Sequence, residues 1–128
     1  MPAVNHAIDR DTQLCVSFSA RPSNIGTRFH NFLYAELDLN FVYKAFAPVD
    51  IAQAVAAIRG LPIRGAAVSM PFKSEVIPLI DELHTSASDI GAVNTIVNTA
   101  GRLVGYNTDE IAVRTLLADA GVRAGARV

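Results

Sequence analysis

Short apolar runs alternating with stretches of helical periodicity restrict this chain more than any other feature. Residues 13–18 (Q-L-C-V-S-F), 41–46 (F-V-Y-K-A-F) and 65–70 (G-A-A-V-S-M) each have the length of a strand, and an amphipathic stretch separates each from the next. Strands joined through helices pair in parallel, because the crossover returns the chain to the edge it started from. The alternation therefore predicts a mixed, mostly parallel α/β sheet with helices on both faces.

The first helix is expected from Asn24 to about Asp38, where Ile25, Phe29, Phe32, Leu33 and Leu37 recur at helical spacing and Ser23 or Asn24 can cap the start. Asp50 caps a second, with Ile51, Val55 and Ile58 on one face and Gly60, Leu61 and Pro62 stopping it. Pro71 ends the third strand because it has no N–H to give a ladder, and a further helical stretch is expected from about Ser74. Residues 93–97 and 102–106 read as a hairpin joined by Asn98, Thr99, Ala100 and Gly101, which adds one antiparallel strand. A last helix runs from Thr108 to about Ala120, with Ile111, Leu116 and Leu117 turned inward and Gly121 ending it.

At 128 residues, 51% hydrophobic and 18% charged, the chain suits one compact domain, expected over residues 1–121. Residues 122–128 have the character of a lead-in to another strand and are expected to start a second, dinucleotide-binding domain. A net charge of −1, with 11 basic residues scattered, gives no footprint for nucleic acid or an anionic membrane. No apolar run approaches the length of a span and no signal peptide opens the chain, so a cytoplasmic protein is expected. Cys15 is the single cysteine, which excludes an internal disulfide. His6, His30 and His84 lack a second ligand three or four residues away, so no metal is expected.

Ligands of open α/β sheets gather at the carboxyl ends of strands. Four loops qualify: 23–27, 69–73, 91–95 and 107–109. Singly, each has a structural reading: Asn94 as a turn residue, Asp109 as a helix cap, Ser69 as an ordinary strand hydroxyl. Lys73 fits such a reading least, since a cation near a helix start meets the positive end of the dipole.

Taken together, G-A-A-V-S-M-P-F-K (65–73), I-G-A-V-N-T (90–95) and G-Y-N-T-D (105–109), with F-H-N (29–31) ahead of them, resemble the substrate-domain signatures of shikimate dehydrogenases, in the same order. The resemblance spans nearly the whole chain. It implies that Lys73 and Asp109 form the catalytic pair, that Ser69 and Asn94 contact substrate hydroxyls, and that the enzyme interconverts shikimate and 3-dehydroshikimate or a related hydroxy acid. It also implies NADP, or NAD, as cofactor, held mainly by a C-terminal Rossmann domain. No G-x-G-x-x-G run occurs in these 128 residues, so no cofactor-binding residue is expected in this chain, and the chain alone is expected to be inactive.

Two departures from the family pattern weaken the substrate assignment. Family members carry S-x-S-P before the histidine, where an ungapped alignment on His30 places Asn24, Ile25, Gly26 and Thr27. Ser17 and Ser19 imitate the spacing but lie too early. The substrate carboxylate is therefore expected to rest on some of Ser23, Asn24 and Thr27 with backbone N–H groups of the helix start. Ala67 stands where the family has asparagine. Both changes resemble the divergent shikimate dehydrogenase-like branch and leave shikimate, quinate and related acids open. The competing reading is a non-catalytic small-molecule sensor on the same domain, which has no use for a proton-transfer pair. The protein is expected to be a monomer or a homodimer.

Overall fold

The computed structural model describes residues 7–121. Six strands form one sheet: β1 (Gln13–Phe18), β2 (Phe41–Phe46), β3 (Gly65–Val68), β4 (Glu82–Leu83), β5 (Thr95–Thr99) and β6 (Arg102–Tyr106). Their order is β2-β1-β3-β5-β6-β4, and every neighbouring pair is parallel except those made by β5. Helices α1 (Asn24–Glu36), α2 (Ile51–Gly60), α3 (Thr85–Ser88) and α4 (Thr108–Asp119) complete the element order. No described helix is long and apolar enough to cross a membrane.

Side-chain alternation divides the strand residues between two faces. Val16, Phe18, Ala66, Val68, Ile96 and Leu103 lie on one face and pack with Val55 and Ile58 of α2 and with Val76, Ala87 and Val93 into the core. The other face carries Tyr43, to which α1 is fastened. There the Asn31 side chain accepts from Tyr43 N at 2.9 Å and donates to Tyr43 O at 2.9 Å, replacing ladder bonds that edge strand β2 lacks. His30 stacks on the Tyr43 ring at 4.2 Å. Burial pushes the Tyr34 phenol and the Cys15 thiol up, which keeps both neutral where α1 meets β1.

Five sequence expectations shift. The apolar positions Ile25, Phe29, Phe32 and Leu37 are exposed, because α1 turns His30, Asn31 and Tyr34 toward the sheet instead. Ser74 opens no regular helix: turns lead to one 3-10 turn at Ile77–Leu79, with Pro78 inside it, and then to β4. The third strand stops at Val68. The hairpin turn is only two residues, Ala100 and Gly101 at φ 52° and 91°, so β5 extends through Asn98 to Thr99. In α4, Ile111 and Leu116 are exposed rather than inward. The lead-in proposed for residues 122–128 lies outside the described residues.

Asn98 is buried at the centre of the far edge, where its amide donates to Ile58 O and Ile63 O and its carbonyl accepts from Gly101 N. One side chain thus joins the end of α2, the entry to β3 and the hairpin turn. Gly105 is forced by space: a Cβ there would meet Ile80 Cδ1 at 2.6 Å and Val93 Cγ2 at 2.7 Å. Gly105→Ala is expected to overpack this contact and destabilise the domain by about 1–3 kcal/mol, read as a fall in the urea midpoint at unchanged slope.

Asp81, just before β4, accepts from Leu103 N at 2.7 Å and from Arg59 at 3.0 Å, and these bonds, the backbone one foremost, hold its carboxyl below the ordinary 3.8. Because the folded value is the lower one, the stability it confers is complete above the unfolded value and is lost as pH falls through the folded one. Unfolding midpoints measured from about pH 6 down to pH 2 should show this acid-side loss, and Asp81→Asn should flatten it.

Candidate active site

Because β5 runs against its neighbours, its amino end lies at the same sheet edge as the carboxyl ends of β1, β2, β3 and β6. Asn94, Ser69, Asn107 and the start of α1 therefore meet along one edge. Met70–Pro71 is a cis peptide, and Phe72 N bonds to Ser69 O at 2.9 Å, which turns the chain over the end of β3. Lys73 follows, with its carbonyl accepting from Val93 N at 2.7 Å. That bond ties the loop after β3 to the loop before β5.

The A-V-N-T and N-T-D runs interlock. Asn94 Oδ1 accepts from Thr108 N and its amide donates to Thr108 Oγ1, both at 2.9 Å. Asn107 caps α4 by accepting from Glu110 N, while its amide donates to Ala92 O at 3.1 Å. Ser86 Oγ accepts from Asn107 N. Every bond bears on the first turn of α4, where Asp109 sits favourably against the positive dipole end.

Lys73 Nζ and Asp109 Oδ2 are 3.8 Å apart, with side-chain exposures of 29% and 75%. This exceeds hydrogen-bond length, so the two are an ion pair without a direct bond, and a substrate oxygen can be shared between them. An exposed pair of this kind adds at most about 1 kcal/mol to stability. Asn94 already spends its carbonyl and one N–H on Thr108 and retains a second N–H for a ligand.

A cleft of about 270 Å³ opens on the α1 face at this edge, lined among others by Ser17, Ser19, Arg21, Ser23, Thr27 and Ser69. Register explains its floor. Ala45, Ser17 and Ala67 pair in one row across β2, β1 and β3, all of them small. Ser23 caps α1 by accepting from Ile25 N at 3.3 Å, and the Asn31–Tyr43 clamp holds that helix against β2.

Of the predicted carboxylate contacts, Ser23 and Thr27 line the cleft together with Ser69, whereas Asn24 does not. Lys73, Asp109 and Asn94 lie farther along the edge and outside the cleft's lining. Sequence reasoning set aside Ser17 and Ser19 as too early and passed over Arg21 and Tyr43, yet all four line it. The signal was parity: Ser17 pairs with Ala67, the position where the family pattern has asparagine. A larger cavity of about 570 Å³ lies at the opposite edge, where Arg59 is bonded to Asp81 and Arg64 to Asn98 O.

The chain is 58% identical over 110 residues to a shikimate dehydrogenase-like protein of Haemophilus influenzae, covering 86% of this chain and 41% of the relative. It is 45% identical over 115 residues to a shikimate dehydrogenase (NADP(+)) of Streptococcus pyogenes, covering 85% of this chain and 39% of that one. The chain thus spans about two fifths of the length of these curated relatives. Shikimate 5-dehydrogenase of Listeria monocytogenes, solved with shikimate and NAD, superposes with a TM-score of 0.79 at 32% identity, over 94% of this chain and 43% of that one. The model of the shikimate dehydrogenase substrate-binding domain matches residues 23–96, so this chain belongs to the shikimate dehydrogenase substrate-binding domain family.

Proposed function

We propose that residues 1–121 form the substrate-holding, acid–base domain of an NAD(P)-dependent oxidoreductase that interconverts shikimate and 3-dehydroshikimate or a closely related cyclic hydroxy acid. The Lys73–Asp109 pair at 3.8 Å, beside a cleft rich in hydroxyls, is the observation that carries this reading. The 128 residues contain no glycine-rich phosphate loop, so the nucleotide would be held by residues other than these. A nicotinamide, when bound, supplies the hydride to the ketone carbon or takes it from the alcohol carbon.

The part of this chain is the proton. In reduction the ketone oxygen gains negative charge, which the Lys73 ammonium stabilises and then neutralises by giving up one proton. In oxidation the neutral amine takes the hydroxyl proton back. Asp109 orients the ammonium and accepts a hydrogen bond from a substrate hydroxyl, while the spare N–H of Asn94 and the hydroxyl of Ser69 meet others. Hydroxyls buried without partners would each cost about 1–3 kcal/mol, so a ring carrying several needs this many polar neighbours.

The full gene product, assayed with NADP+ or NAD+ and shikimate or quinate, tests the assignment. Lys73→Met should lower kcat by at least about 100-fold with a smaller change in KM. Asp109→Asn should lower kcat with the same substrate. Unchanged turnover in both variants, or ligand binding with no oxidoreductase activity in the unmodified protein, would sink the proposal, the latter in favour of a sensor.

A further inference from the structure

We infer that Arg21, which lines the cleft, is the residue that selects carboxylated ligands. The inference rests on the proposed function for the reaction but stands on its own geometry for the ligand's charge. Arg21 lines the cleft together with hydroxyl side chains, and no carboxylate is among the lining residues. Its backbone is placed firmly: Arg21 N donates to Ser19 Oγ at 3.0 Å, and the residue precedes Pro22, which disfavours helical backbone at position 21.

The guanidinium of Arg21 is not spent on the fold. Arg59, Arg102 and Arg114 each hold a carboxylate of the fold, and Lys73 holds Asp109. Arg21 makes no ion pair or side-chain hydrogen bond with any described residue. Five N–H donors in a planar fork, on a residue of the cleft lining, match a carboxylate bidentately. Hydroxyls on Ser17, Ser19 and Ser23 line the same cleft and complete a donor set.

Position adds a distance criterion. The end of β1, which carries Arg21, and the end of β6, which leads to Asp109, are three strand spacings apart, about 14 Å between backbones. Lys73 follows β3, the immediate neighbour of β1, and pairs with Asp109, so Arg21 and the Lys73–Asp109 pair belong to separate strand ends of one sheet edge. A ligand held this way presents its carboxylate to Arg21 and a ring hydroxyl to Lys73. Neutral polyols of the same size lack the first contact.

The test is binding of two probes to the full gene product by calorimetry: shikimate, and its carboxamide, which has the same ring without the charge. The unmodified protein should prefer shikimate, increasingly so at low salt. Arg21→Gln should weaken shikimate about 10- to 100-fold, leave the carboxamide within about threefold, and raise KM with kcat little changed; Arg21→Lys should recover part of the loss. An unchanged thermal midpoint in each variant shows that the exposed site has not altered folding.

If Arg21→Gln leaves shikimate binding unchanged, or weakens both probes equally, the assignment of Arg21 is overturned while turnover by the unmodified protein leaves the dehydrogenase reading intact. Charge-selective binding lost in Arg21→Gln, in a protein that turns over neither acid, supports Arg21 and overturns the dehydrogenase reading instead. No binding of either shikimate or quinate by the unmodified protein overturns both.

Discussion

The reversal of β5 is the constraint on which the rest of the structure depends. A sheet of parallel strands alone would send the chain before β5 to the opposite edge from Ser69 and Asn107. Running β5 backward between β3 and β6 brings Asn94 and Val93 to the edge where the other strands end. The bond from Val93 N to Lys73 O and the paired bonds between Asn94 and Thr108 then become possible, and they hold the lysine loop and the start of α4 at a common height. Both charged groups of the candidate site inherit their position from this one strand.

Buried amides do at both edges what a hydrophobic core cannot do. Apolar burial is non-directional, so it brings α2 onto the sheet without fixing where a loop stops. Asn98 at one edge and Asn107 at the other bond to backbone groups of distant segments, and an unmade bond at either site leaves a buried polar group unsatisfied. Asn31 plays the same part for α1 on β2. The three asparagines set the positions of the helix ends, and those ends carry Ser23 and Asp109.

The Lys73–Asp109 pair is placed by this scaffold and contributes little to it. At 3.8 Å, with the aspartate three-quarters exposed, it is weak as a stabilising contact and open to a ligand. Arg21, in the lining of the cleft, has no ion-pair partner among the described residues. A site whose charges are unspent on the fold is one in which a bound anion and a reacting hydroxyl gain the full benefit of them.

Much of this was legible in the chain itself. Alternating strand and helix lengths gave the mixed sheet, and local chemistry gave the caps Ser23 and Asp50 and the reversed hairpin, because all of these depend on residues close in sequence. Ordered motifs marked Lys73 and Asp109, which sit together at 3.8 Å. The tertiary structure alone decided which face of α1 and α4 is covered, since an apolar stripe states a preference for burial but not the presence of a partner. It also decided the makeup of the cleft. Ser17, Ser19 and Arg21 precede the aligned motif, and only the pairing of Ser17 with Ala67, with the clamp of Asn31 on Tyr43, brings them opposite Ser69. Register across strands is a long-range property: it depends on which side chains of separate segments find each other, and no local run of residues contains it.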